Sequence, residues 1–140
     1  MHLSFAIMVL LDQITKSVFT GRDFFLAGLH LHPMRNYALP FGLDFGARFN
    51  FIVLLGVYLA VGWLVVMTPA KIRLHQVGKS MFLAGAASNL VDRLIFGYVR
   101  DYIDISLNFV FNLADVFIVL GLLMLMWPAG RPAPQPKPQA

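Results

Sequence analysis

Asp12, Lys16, Asn89, Asp92, Arg93, Asn112 and Asp115 lie within or at the edge of apolar runs long enough to approach a bilayer span. Ionisable groups are costly in such runs, so they turn toward a bundle interior and mark a working site. The chemistry open to them is narrow. The chain has no cysteine, which removes thiol nucleophiles, disulfides and Cys-based metal sites. Its four histidines are His2, His30, His32 and His75, of which only His30 and His32 are close in sequence, and no carboxylate completes a metal motif with them. There is no P-loop, G-x-G-x-x-G or G-x-S-x-G motif. Ser88 and Lys79 fall toward opposite sides of the membrane, which removes a Ser–Lys dyad. Carboxylates remain, and all seven acidic residues are Asp.

Two carboxylates held close together cannot both ionise, so they share one proton. The unprotonated partner can then take a proton from water while the protonated one polarises a carbonyl. Asp115, at the start of an apolar run, is one candidate for such a pair. Its partner is Asp92, Asp101 or Asp104. Asp92 sits deeper beside Arg93 and suits a structural pairing, and spacing alone leaves Asp101 and Asp104 both open.

These residues need elements that bring them together. The 140 residues are 59% hydrophobic and 13% charged, with mean hydropathy +0.72. A soluble domain carries about 25% charge, so the chain reads as an integral membrane protein. Four segments read as spanning helices: residues 1–20, 49–67, 80–97 and 111–127. The first contains Asp12 and Lys16 and lacks an A-x-A site, so it reads as a retained helix and not a cleavable signal. The net charge of +4 is better assigned to cytoplasmic loops than to nucleic-acid binding. Segment 68–79 carries Lys71, Arg73 and Lys79, and the tail carries Arg131 and Lys137, all without an acid. Both are therefore expected inside, with both termini cytoplasmic. Segments 21–48 and 98–110 then lie outside.

The fold expected is an all-α, four-helix membrane domain over residues 1–128. A small extended, β-like subdomain at 21–48 lies on the outer surface after helix one. Residues 129–140 are a Pro-rich tail expected to be disordered and cytoplasmic. With this topology all seven polar residues fall toward the outer leaflet. At about 1.5 Å per residue, Asp115 lies roughly 6 Å below the outer end of its helix. The inner half of the bundle is expected to carry no polar groups. Asn89, Asp92, Arg93 and Phe96 follow i, i+3, i+4, i+7 spacing and form one stripe, and Asp12 precedes Lys16 by four, the favourable order for an intrahelical pair. A structural salt-bridge network is the plainer reading of the same pattern. The small run 84–88 reads as helix packing.

Four motifs occur in order: Asp12-Gln-Ile-Thr-Lys16, Asn89-Leu-Val-Asp92-Arg93, Val99-Arg-Asp101-Tyr and Phe111-Asn112-Leu-Ala-Asp115. Together, over about residues 11–120, they resemble lipoprotein signal peptidase (signal peptidase II), a family of four-helix bacterial inner-membrane aspartic proteases. The resemblance implies that the chain cleaves prolipoproteins before the cysteine bearing a diacylglyceryl group. It implies Asp101 and Asp115 as the catalytic pair. Asn36, Asn89, Arg93 and Asn112 would orient substrate and the pair, and Asp12, Lys16 and Asp92 would support them. It implies no metal or organic cofactor. The expected partners are the lipidated precursor and membrane lipid, with the chain acting as a monomer. The member is a divergent one. The family's outer loop resembles Asn-x-Gly-x-Ala-Phe, but Asn36-Tyr-Ala-Leu-Pro-Phe41 has Ala38 and Pro40 instead, and Ser88 stands where glycine is usual. Two other readings are a small transporter with a proton-titrating Asp and a relative that binds precursors without cutting. Phe24 and Phe25 are expected to hold lipid or close over the peptide.

Overall fold

The computed structural model describes residues 2–19, 21, 23–26, 29–37, 45–105 and 109–128. The expected tail at 129–140, and Ala38, Pro40 and Phe41 of the outer loop, lie outside these residues. The chain order is α1 (His2–Phe19), β1 (Phe24–Leu26), β2 (Leu29–Asn36), α2 (Ala47–Met67), α3 (Arg73–Phe96), β3 (Val99–Asp104), β4 (Val110–Phe111) and α4 (Leu113–Met126). Four helices therefore carry one four-stranded antiparallel sheet ordered β1-β2-β3-β4.

Three expectations need correction. Helix three begins at Arg73, seven residues before the expected start at 80. An apolar criterion discards its first two turns, Arg73 to Lys79, yet nothing in them breaks a helix. Its lower half also buries His75 and Ser80, so the inner half is not free of polar groups. His75 Nε2 lies 2.9 Å from the Trp127 carbonyl while its buried Nδ1 has no hydrogen-bond partner among the described residues, and Ser80 Oγ donates to the Gln76 carbonyl. The third concerns segment 98–110, for which no strand is expected from the sequence. It supplies most of β3 and β4, so the fold is not all-α and its sheet is built from segments 21–48 and 98–111. In β3, charged Arg100, Asp101 and Asp104 hide a strand pattern because each charge is met by a partner.

The local signals are readable. α3 stops at Gly97, which takes φ 80°, and its N–H reaches the Arg93 carbonyl at 3.0 Å. Glycine adopts that left-handed geometry without a Cβ penalty. The turn releases the chain into β3. α4 opens on a capping box: the Asn112 side chain accepts from the Asp115 N–H, and the Asp115 side chain accepts from the Asn112 N–H. β2 pairs with β3 from His30↔Asp104 to Asn36↔Val99, with an irregularity between Leu31 and Met34 where Pro33 cannot donate to the ladder.

α3 and α4 form the tightest pair. A Cβ on Gly78 would lie 2.8 Å from the Gly121 carbonyl oxygen, and one on Gly121 would lie 2.6 Å from the Phe82 nitrogen. A Cβ on Gly85 would run into the Ala114 carbonyl. Small residues let the two backbones touch, as expected of the run 84–88. α2 closes against α3 through Val65, Phe82 and Ala86, with Tyr58, Val61 and Leu83 around them. Apolar side chains also face outward: Leu10, Leu11 and Ile14 on α1, Trp63 and Leu64 on α2, Leu123 and Met126 on α4. Among the described residues, one segment, Phe49–Met67, is long and apolar enough to cross a membrane by length and composition, and α4 is a shorter apolar helix.

Candidate active site

The buried polar groups meet where α1, α3, the start of α4 and the β2–β3 edge come together. Asp101 enters from β3 and Asp115 from the first turn of α4. Asn112 joins them: its Nδ2 donates to Asp101 Oδ1 at 2.6 Å, and its Oδ1 accepts from the Asp115 N–H at 3.0 Å. The other Asp101 oxygen accepts from Asn36 Nδ2 at 2.8 Å. Asp115 Oδ1 accepts from Asn89 Nδ2 at 2.8 Å, and its Oδ2 from the Asn112 N–H at 3.2 Å. Both carboxylates are thus aimed by amide donors carried on three different elements.

A second layer fixes the amides. Asn89 Oδ1 accepts from Lys16 Nζ at 2.8 Å and from Asn112 Nδ2 at 3.1 Å. This oxygen position sets the Asn89 flip and leaves its NH2 group for Asp115. Lys16 is fully buried and pairs with Asp12 at 2.7 Å and Asp92 at 3.3 Å. Asp12 in turn accepts from the Ala114 N–H at 2.7 Å and Ser88 Oγ at 2.6 Å, which ties α1 to the first turn of α4. Asp92 takes Arg100 at 2.8 Å and Gln13 at 3.0 Å. Four buried or half-buried charges, Asp12, Lys16, Asp92 and Arg100, therefore neutralise one another.

Asp101 and Asp115 stand apart from this balance. Among the described residues neither has an ion-pair partner. Burial, and then the nearby Asp115 charge, push Asp101 up to about 7, against the donated bonds from Asn36 and Asn112. A carboxyl poised there exchanges its proton at neutral pH. Tyr102, next in β3, is also raised by burial, and its hydroxyl donates to Thr15 Oγ1 at 2.9 Å.

The structure gathers eight of the nine residues singled out in the sequence into one hydrogen-bonded cluster around the two carboxylates: Asp12, Lys16, Asn36, Asn89, Asp92, Asp101, Asn112 and Asp115. Arg93 is the exception. Its guanidinium turns to α2, 3.4 Å from the Tyr58 hydroxyl and over that ring, and it also reaches the Asn89 carbonyl. Asp104, the rival partner for Asp115, lies on the sheet against His30 at 3.3 Å.

Several residues escaped the sequence reading. Gln13 bridges Ser88, Asp92 and Arg100. Ser88, read as packing, binds Asp12. Arg100 follows from strand alternation: beside Asp101, it projects to the other side. Asn50 is buried on α2 and holds the chain before it, accepting from the Phe45 N–H and donating to the Tyr37 carbonyl at 3.1 Å each. A lone Asn in an apolar helix is a legible signal for such a role. A cavity of about 440 Å³ lies outside the carboxylate cluster, lined by Pro33, Met34, Arg35, Phe96, Tyr98 and Arg100.

Residues 4–129 match the signal peptidase (SPase) II family. The lipoprotein signal peptidase of Caulobacter vibrioides is 35% identical over 135 residues, covering 86% of this chain and 80% of that protein. That of Halothermothrix orenii is 32% identical over 135 residues, covering 86% and 90%. That of Sinorhizobium fredii is 44% identical over 99 residues, covering 66% and 60%. The fold is similar to that of a bacterial membrane enzyme solved in meso at 2.3 Å, with a TM-score of 0.72 and 27% identity over 88% of this chain and 82% of the other.

Proposed function

Given that the chain belongs to the signal peptidase II family, we propose that Asp101 and Asp115 are its catalytic pair and that it works as an aspartic endopeptidase. It is a membrane protein and a lipoprotein signal peptidase, which removes signal peptides from prolipoproteins. The observation that carries the aspartic reading is Asn112, whose Nδ2 donates to the Asp101 carboxylate and whose backbone N–H donates to the Asp115 carboxylate inside a buried site.

The pair shares one proton. The charged partner takes a proton from a water as that water's oxygen attacks the scissile carbonyl. The protonated partner donates to the carbonyl oxygen. In the gem-diol that results, the C–N bond breaks as the departing nitrogen takes the proton from the first carboxyl; one hydroxyl returns its proton to the second carboxyl as the carbonyl re-forms, and the signal peptide leaves with a new carboxyl end. No metal enters these steps. Asn36, Asn89 and Asn112 keep both carboxyls in register, and Asp12, Lys16 and Asp92 hold Asn89 and the start of α4 in place. Arg93, which turns to Tyr58 on α2 and away from the carboxyls, is read as a substrate-orienting residue.

All four helices span the membrane in this reading. α1 and α3 score low for a span because of charges that the bundle buries against one another. Both also turn apolar side chains outward, Leu10, Leu11 and Ile14 on α1 and Val77, Leu94 and Ile95 on α3. Residues 1–128 form one unit with both termini cytoplasmic and the site near the outer leaflet of the inner membrane. Acyl chains of a diacylglyceryl-cysteine then lie in that leaflet, beside the exposed Phe24 and Phe25.

The test is cleavage of a diacylglyceryl-modified prolipoprotein by the purified protein, with Asp101→Asn and Asp115→Asn alongside. The parent is expected to cut before the lipidated cysteine, and each variant to lose roughly a thousandfold or more in rate. Substantial cleavage by either folded variant would remove that residue from the pair.

A further inference from the structure

The outer sheet carries a second cluster that the peptidase chemistry does not use. His30 and His32 are two apart in β2, so strand alternation puts both on one face. The β1–β2 register runs from Leu26↔Leu29 to Phe24↔Leu31, and one step further sets Asp23 across from His32. The β2–β3 register sets Asp104 across from His30. Strands β2 and β3 and the residue just before β1, no two of these residues adjacent in sequence, therefore deliver two imidazoles and two carboxylates to one patch. Asp23 Oδ1 lies 3.0 Å from His32 Nδ1. One ligating atom from each of Asp23, His30 and His32 falls within 4.8 Å of the other two. Asp104 Oδ2 lies 3.3 Å from His30 Nδ1.

We propose that Asp23, His30 and His32 bind one divalent transition-metal ion of the zinc class, with Asp104 orienting the His30 ring from behind. The donor set fits: two imidazole nitrogens and a carboxylate oxygen are ordinary zinc ligands, at about 2.0–2.2 Å from the ion. Ligand atoms around such an ion sit roughly 3.3–3.6 Å apart in tetrahedral geometry. Closing from at most 4.8 Å asks for up to about 1.5 Å of side-chain movement in groups that are partly exposed. Asp104 on His30 Nδ1 leaves Nε2 for the ion, the carboxylate–histidine–metal arrangement that fixes ring orientation. The ion would tie β1 to β2 across the hairpin, on the same strand that ends at Asn36. Nothing routes it to the scissile bond, so it is a clasp for the outer sheet.

The test is calorimetric titration of zinc chloride into the detergent-purified, untagged full chain. One equivalent should bind and raise the thermal unfolding temperature. His32→Gln and Asp23→Asn should each weaken binding roughly tenfold or more, and His30→Gln with His32→Gln should abolish it. His75→Gln, buried in the helices, should bind as the parent does. Unfolding scans without metal keep folding failure separate from lost ligands. Absence of saturable binding below about 0.1 mM in folded parent, or one-to-one binding that survives the double His variant, would overturn the proposal.

Discussion

Replacing Asp101 by Asn should stabilise the protein at high pH while stopping the reaction. Asp101 is almost wholly buried and its carboxyl is raised to about 7 by burial and then by the Asp115 charge. A carboxyl raised on folding binds more protons folded than unfolded between about pH 4 and 7. The stability it contributes is therefore complete below that window and is lost as pH rises through the folded-state value. Each pH unit is worth about 1.4 kcal/mol, so going from about pH 5 to pH 8 should cost the parent about 3 kcal/mol through this group alone. Asn cannot titrate. It also has one acceptor oxygen where Asp101 takes two donors, from Asn112 and Asn36, and that loss costs about 1–3 kcal/mol at either pH. The comparison to make is thus a difference of differences. Unfolding by SDS titration in mixed micelles, followed by Trp fluorescence at both pH values, should show the variant gaining about 3 kcal/mol on the parent between them. Parallel curves for parent and Asp101→Asn would refute the reasoning and the assignment of Asp101 as the proton-holding partner.

Three further outcomes are expected. Lys16→Met should destabilise by about 3–5 kcal/mol, because it leaves Asp12 and Asp92 buried without their shared cation, while Lys16→Met with Asp12→Asn and Asp92→Asn should recover part of it; SDS unfolding reads both. Asn112→Ala removes the link between the carboxyls and the cap of α4. It should lower kcat by about ten- to a hundredfold in the prolipoprotein assay and cost about 1 kcal/mol of stability. Gly85→Val drives a side chain into the Ala114 carbonyl and should cost more than about 3 kcal/mol, seen as lost folded yield on size exclusion, whereas Gly56→Ala, with open space around it, should purify normally.

The sequence carried the polar convergence because membrane burial makes each charge conspicuous. The stripe at Asn89, Asp92 and Arg93 and the pair Asp12–Lys16 are legible for that reason. The choice of Asp101 over Asp104 was not, since it depends on the β2–β3 register, and a register is a long-range fact. With His30 across from Asp104 and Met34 across from Asp101, one acid stays on the sheet and the other turns to Asn112. The early start of α3 was hidden by its polar first turns, and β3 by its charges. Gln13 and Arg100 were missed because their partners lie 75 or more residues away for Gln13 and both 8 and 87 residues away for Arg100. Arg93 shows the converse: its place on the stripe is right, yet its long side chain goes to Tyr58.

The ion pair inside α1 also bears on the order of synthesis. When α1 leaves the ribosome, Ser88, Asn89, Asp92 and the Ala114 N–H do not yet exist, although each will later hold Asp12 or Lys16. A lone lysine and a lone aspartate would each resist transfer into lipid at about 3 kcal/mol. Four apart on one helix and 2.7 Å from each other, they enter already neutralised. With α1 spanning the membrane as proposed, the pair escorts it into lipid and is handed, once α3 and α4 arrive, from itself to the network that aims Asp101 and Asp115, the proposed catalytic pair.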